Sequence, residues 1–230
     1  MCGRYSMAYQ KTEREYDEYF QRIMQAQSKA KPRYNIAPTQ TAPIIRVRDG
    51  KSICEEVKWG LYENWWADKL DIKKIMTNAR SEKVFTSGLY KHSARKRRCV
   101  VLASGWYEWK PVSGRKTGDP FTFGMKDKSV MMLAGIWTTK HLEKDVGEDN
   151  FAIITTDANS LAAKVHNRMP VILNADQATI WLDPEYKNLE ELESFMTPYK
   201  GRDLAAYQVG HNVNNVRNIG AECLEPLSLQ

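Results

Sequence analysis

Apolar residues in this chain gather mostly in short runs bounded by turn formers, and only a few stretches repeat at helical spacing. Tyr16, Tyr19, Phe20, Ile23 and Met24 follow the capping box Thr12-Glu13-Arg14-Glu15. They predict a helix of about 15 residues with one buried face, ended by Ser28 to Pro32. Arg33 to Pro38 reads as an extended loop. Ile44–Val47 and Ile53–Val57 flank Asp49-Gly50, a type I′ signal, so Ile44 to Trp59 reads as a hairpin. Thr77 to Glu82 reads as a strand end turning into a helix capped by Ser81. Cys99–Ala103, Phe121–Phe123, Val130–Trp137, Phe151–Thr155 and Val171–Leu173 read as strands. Pro111–Asp119 and Lys140–Asn150 are polar loops between them. Asp157–Lys164, Asp176–Leu182 and Asn188–Met196 read as short helices, and the asparagine-rich tail around Val213–Asn218 as an ordered loop packed onto the body. Strands outnumber helices and mostly join by hairpins. The expected class is α+β: one domain over residues 1–230, with a largely antiparallel, twisted, barrel-like sheet flanked by short helices.

Composition narrows the function classes. A chain of 230 residues can bury roughly 70% of its unfolded surface. Its 42% hydrophobic content excludes a disordered chain. No apolar run approaches the roughly 20 residues of a membrane helix, and charged residues follow the start at once. A soluble, cytoplasmic protein is expected, monomeric and without membrane contact. Cys2, Cys54, Cys99 and Cys223 form no CxxC pair, and the four histidines form no HExxH. No metal and no cofactor are therefore expected. A net charge of +6 permits a polyanionic partner without requiring one.

The candidate chemistry begins at Cys2. Removal of Met1 before a small residue would leave a free α-amine and a thiol on one residue, a 1,2-aminothiol. The amine titrates near about 8 and the thiol near about 8.5. Such an aminothiol condenses with an aldehyde to a Schiff base, and the thiol then closes a thiazolidine. Gly3 leaves room beside it, and Arg4 can hold an anion. Glu108 lies within Trp106-Tyr107-Glu108-Trp109, where desolvation would raise its pKa and suit it to acid–base work. Asn78 and Arg80 stand just before a helix start, where anions are favoured. His166 and Arg168 sit two apart in a loop closed by Pro170, as a placed pair or a structural one. Trp59, Trp65 and Trp66 suit either base stacking or a corner of core. Arg95-Lys96-Arg97-Arg98 is either a phosphate-tracking patch or, the reading favoured here, a solvated face.

Met1-Cys2-Gly3-Arg4-Tyr5, Arg33-Tyr34-Asn35-Ile36-Ala37-Pro38, Trp59-Gly60, Asn78-Ala79-Arg80-Ser81-Glu82, Gly105 to Lys110, His166 to Pro170 and Asn215-Val216-Arg217 stand in a recognisable order. As a set they resemble the SOS-response-associated peptidase family, the abasic-site processing proteins, from Cys2 to about Pro226. Tyr5 and Tyr107 are small departures, standing where phenylalanine would serve equally well. The resemblance implies binding of single-stranded DNA and a covalent thiazolidine between Cys2 and the ring-opened aldehyde of an abasic site, which shields the lesion. In a bacterium it implies association with the nucleoid. It gives Cys2 the nucleophile's role, Asn78 the orientation of amine or sugar, Glu108 the proton shuttle, and His166 the protonation of the sugar ring oxygen. Arg4, Arg80 and Arg168 would hold phosphates, and Pro38, Trp65 and Trp66 would wedge or stack where the DNA kinks. Lyase activity is a further expectation. The alternative is a thiol autopeptidase using Cys2 with His166 or Glu108.

Overall fold

A computed structural model describes residues 2–8, 31–63, 66, 74–141 and 147–227. The helix expected over Thr12 to Met24 and the side chain of Trp65 lie outside the described residues.

The hairpin forms as its turn residues require. β3 (Thr41–Arg48) and β4 (Lys51–Trp59) pair along their whole length. Asp49 and Gly50 take φ of 52° and 71°, the left-handed pair of a type I′ turn. β3 also pairs β6 (Arg98–Ala103), and β6 pairs β9 (Met131–His141). β9 in turn pairs β10 (Gly147–Asp157), and β10 meets β4 in parallel at Asn150 and Phe151. That last contact closes β4-β3-β6-β9-β10 into a five-stranded barrel. β9 and β10 run further than expected. The polar, charged residues at both ends of the Lys140–Asn150 stretch lie in strands, because cross-strand pairing carries them past their weak propensity.

A second sheet lies beside the barrel, in the order β13 (Leu204–Gln208), β8 (Asp119–Met125), β7 (Gly105–Lys110), β1 (Tyr5–Met7) and β2 (Arg33–Ile36). The stretch read as an extended loop from Arg33 is thus a strand as far as Ile36. The chain passes from barrel to second sheet at Ser104. Glycine is needed at the next position, since a Cβ on Gly105 would stand 2.8 Å from the Phe123 carbonyl oxygen.

Three short elements complete the frame. β5 (Asn78–Arg80) runs parallel to β10 through Ile153–Thr155, and β11 (Arg168–Pro170) runs antiparallel to it through Thr155–Asp157. β12 (Ile172–Leu173) joins the edge of β9. The loop read over Val165–Pro170 is therefore half strand, and the helix read over Asp157–Lys164 is only a 3-10 turn, Ala162–Lys164. Among the described residues the complete α-helices are α1 (Ser81–Val84), α2 (Lys91–Lys96), α3 (Ala175–Leu182) and α4 (Leu189–Ser194). Arg80, not Ser81, is the residue before α1, and its side chain makes no cap. Asn174 caps α3 with a reciprocal Gln177 bond. Among the described residues no helix is long and apolar enough to cross a membrane.

The core is aromatic at the junction of the two sheets. Tyr5 meets Trp59 edge-on at 5.2 Å, Trp59 stacks on Phe151 at 6.3 Å, and Trp106 stacks on Phe123 at 4.7 Å. Full burial of each such ring contributes about 2–3 kcal/mol, so Tyr5 anchors the residues before it. Arg98 corrects the reading of the basic run as a solvated face. It is buried, and its guanidinium donates to the carbonyls of Ala94, Arg95, Trp181, Asp183 and Tyr186. Arg95 and Lys96 do face solvent.

Candidate active site

Cys2 lies just before the second sheet, three residues ahead of Tyr5. Tyr5 pairs Trp106, and the Tyr107 N–H donates to the Arg4 carbonyl at 3.0 Å. Continued outward, this register sets Gly3 across from Glu108, so the residue facing the carboxyl-bearing position has no side chain. Cys2 is fully buried and Glu108 is 3% exposed. Asn78 arrives from the barrel side, on β5. Its Nδ2 donates to the Cys2 carbonyl at 2.9 Å and to Thr77 Oγ1 at 3.1 Å. Its Oδ1 is buried with no hydrogen-bond partner. A buried orphan acceptor costs about 1–3 kcal/mol, and this one sits beside the chain start, where an N–H donor would satisfy it.

Burial shifts the ionisable groups of Cys2, Glu108 and His166. Burial raises the Glu108 carboxyl from 4.5 to about 7, with the positive amino terminus holding it back. Burial and then the Glu108 charge push the Cys2 thiol well above its ordinary range, while the amino terminus and the Arg4 backbone N–H act in the opposite direction. Half-buried His166 is lowered, first by burial and then by the amino-terminal charge. The Arg168 N–H donates to His166 Nδ1 at 3.0 Å, so the neutral ring carries its proton on Nε2. At neutral pH the site holds a protonated thiol, a neutral imidazole and a carboxyl near its midpoint. That set can move protons. It does not form a thiolate–imidazolium pair.

The expected phosphate holders divide. Arg80 is exposed. Arg4 is partly buried: Nη1 donates to Asn35 Oδ1 and to the Val213 carbonyl, both at 2.7 Å, and the guanidinium lies over Trp109 at 5.8 Å. Arg168 is 7% exposed, and its donors go to Glu82, Asp157 and the Thr155 carbonyl. Its donors are engaged by two solvent-exposed carboxylates and a chain carbonyl, where an open phosphate contact was expected. Trp66 is likewise a core residue. It is fully buried, edge-on to Tyr62 at 6.0 Å and to Tyr90 at 6.5 Å, and presents no face to a base. Pro38 is half-buried in the turn Ala37–Gln40, followed by Thr39 at φ 74°. Among the described residues no group of three or more His, Cys, Asp or Glu is placed to hold a metal.

Residue-by-residue reading missed Asn35, Glu82 and Asp157. Asn35 is buried and donates to the carbonyls of Val213, Asn215 and Asn218, which fixes the asparagine-rich tail against Arg4. Asn35 and Glu82 both stand inside motifs quoted from the sequence, yet nothing local shows that each reaches an arginine far away in the chain.

Comparisons with known proteins identify the family. The model of the SOS response associated peptidase (SRAP) family matches residues 1–216. The chain belongs to the SRAP family. It is 31% identical over 226 residues to the abasic site processing protein YoaM of Bacillus subtilis, covering 98% of both chains. It is 30% identical over 234 residues to the abasic site processing protein YedK of Escherichia coli, covering 99% of this chain and 100% of that one. A crystal structure of a protein from Bacteroides thetaiotaomicron shares the fold at a TM-score of 0.79 and 24% identity, over 99% of this chain and 100% of that one. The SRAP match takes in Cys2, Asn78, Glu108 and His166.

Proposed function

We propose that this SRAP protein processes abasic sites in single-stranded DNA by covalent capture at Cys2. The observation that carries the reading is the fully buried Cys2 held by Asn78 beside a carboxyl whose pKa lies at about 7. Once Met1 is removed, the Cys2 amine attacks the open-chain aldehyde carbon of the lesion, and a C–N bond forms. Ionised Glu108 takes the proton that the ammonium sheds. Protonated Glu108 delivers it to the carbinolamine oxygen, and a second proton carried the same way from nitrogen lets the hydroxyl leave as water and gives the neutral imine. The thiol adds across C=N, its sulfur to carbon and its proton to nitrogen, and closes the thiazolidine. Asn78 Oδ1 accepts from the amine and aligns its lone pair. His166, with its proton on Nε2, donates to the sugar ring oxygen and favours the open aldehyde. Exposed Arg80 and the tethered Arg4 meet the flanking phosphates. The names of the full-length relatives, abasic site processing proteins, support the same substrate.

A thiol peptidase reading needs a thiolate, and burial with the Glu108 charge keeps the Cys2 proton on. Imidazolium is disfavoured as well. Covalent capture instead uses the neutral thiol and the free amine together.

The test is intact mass under denaturing conditions after mixing the protein with a short single-stranded oligonucleotide carrying one abasic site. The expected mass is Met-less protein plus DNA minus one water. Cys2→Ser keeps the amine and should give only an imine that borohydride traps. Unmodified Met-less wild-type protein would overturn the reading.

A further inference from the structure

One ion pair spans the site and has no part in the steps above. Glu82 follows Asn78 by four residues, at the start of α1. Its carboxylate receives the Arg168 fork, Oε1 from Nη1 at 2.5 Å and Oε2 from Nη2 at 3.1 Å. Asp157 Oδ1 accepts from Nη1 at 2.8 Å and the Thr155 carbonyl from Nη2 at 2.6 Å. The Arg168 side chain is thus held on three sides, and its own backbone N–H is the donor that fixes His166 Nδ1. β5 and β11 both pair β10 through neighbouring residues, Ile153–Thr155 and Thr155–Asp157. One guanidinium therefore fastens the segment bearing Asn78 to the segment bearing His166.

We propose that Glu82 and Asp157 are positioning residues for His166, acting through Arg168; this rests on the covalent-capture reading. Both carboxylates are open to water, at 49% and 79% exposure, so neither fills the core. Surface ion pairs are ordinarily worth about 0–1 kcal/mol. A bidentate fork adds direction as well as energy, and direction is what a hydrogen bond from the adjoining backbone requires. The Arg168 hydrogen bond draws the Glu82 carboxyl below its ordinary pKa, so the fork stays ionised through neutral pH. Loosening it frees β11 to shift against β5, which moves the Nδ1 acceptor off its donor. The ring can then carry its proton on either nitrogen.

The experiment uses the full chain with Glu82→Gln, Asp157→Asn and Arg168→Lys, and reads three quantities. Long-range proton–nitrogen spectra of labelled protein, with His166→Gln for assignment, report the tautomer. Denaturing mass spectrometry gives the rate of capture of an abasic oligonucleotide. Anisotropy gives affinity for the same strand without the lesion. A misplacement approaching 1 Å can cost about 100-fold, and Glu82→Gln, which leaves the Asp157 arm, should slow capture about 10-fold. The wild-type ring should show one tautomer and the Glu82→Gln ring a mixture. Arg168→Lys keeps the charge but not the fork, and should resemble Glu82→Gln. Affinity for intact strand should change by no more than about twofold, since one exposed charge is screened. Asp157→Asn, at a largely exposed side chain, should fold normally and show the same signs more weakly.

An unchanged tautomer in both Glu82→Gln and Asp157→Asn overturns the proposal. So does a tenfold gain in affinity for intact strand with capture undiminished, because the carboxylates would then be masking a phosphate ligand. If wild-type protein captures nothing, the functional reading fails by itself, and the tautomer still decides whether the fork positions His166.

Discussion

Replacing Glu108 with glutamine separates the cost of burying this carboxyl from the chemistry it performs. In the unfolded chain the group titrates near 4.5, and in the folded protein at about 7. Between those values the folded state keeps a proton that the unfolded state has released. Stability from this group is therefore greatest below the unfolded value and falls as pH rises towards the folded one. At 1.36 kcal/mol per pKa unit the full loss is about 3 kcal/mol. Glutamine keeps the shape and has no proton to lose. Urea unfolding of wild type and Glu108→Gln from about pH 4 to about pH 8.5 should show the variant gaining about 3 kcal/mol on wild type, with the change concentrated below pH 7. Capture of an abasic strand should move in the opposite direction. Wild type should show a limb near pH 7, where carboxyl and carboxylate coexist, and the variant should be slow throughout, by about 100-fold or more. Parallel stability curves at every pH would refute the argument, since they would mean that Glu108 ionises as readily in the fold as in water. A fast variant with a normal limb would remove Glu108 from the proton path and leave the stability argument standing.

Three further outcomes follow from particular contacts. Arg98→Lys supplies one ammonium where a guanidinium now serves five carbonyls; urea melts should show a loss of about 3 kcal/mol or more, from unsatisfied acceptors. Thr39 holds φ at 74°, a region that a β-branched residue avoids; Thr39→Asn should raise stability by about 1 kcal/mol in the same assay. Trp66→Ala should cost about 3–5 kcal/mol of stability and, where the variant is still folded, leave affinity for intact single-stranded DNA near that of wild type; a selective loss of affinity would return Trp66 to the DNA surface.

The sequence makes some of this legible because local chemistry and global fold agree there. Asp49-Gly50 can hardly do anything but turn, and β3 and β4 follow from it on either side. The helix read over Asp176–Leu182 forms as well, and starts one residue earlier, at Ala175, where the Asn174 cap sets it. Glu108 could be read as a perturbed carboxyl from its tryptophan neighbours alone, and burial does raise it. The failures share a cause as well. Lys140–His141 and Gly147–Asn150 are too polar to look like strand, and only the ladder between β9 and β10 makes them so. β13 was missed because Leu204–Gln208, with two alanines and a glutamine, has little strand propensity and forms by pairing β8.

The arginines were the least legible residues, and the reason is physical. A guanidinium on the page is a charge and five donors, and the sequence does not say who accepts them. Arg98 spends its donors on chain carbonyls, and Arg168 on two carboxylates and a carbonyl. Arg4 gives one nitrogen to Asn35 and Val213 and lies over Trp109. Among the arginines expected to meet phosphate, Arg80 faces solvent, on the strand that also carries Asn78. Burial decides this outcome, because a desolvated guanidinium must find acceptors within the fold before it can offer any to a ligand. Positive charge near a site is thus weak evidence of DNA contact until its donors are counted. The same count explains why Asn35 and Glu82, which carry no chemistry of their own, stand inside the motifs: each holds an arginine that would otherwise be buried with its donors unmet.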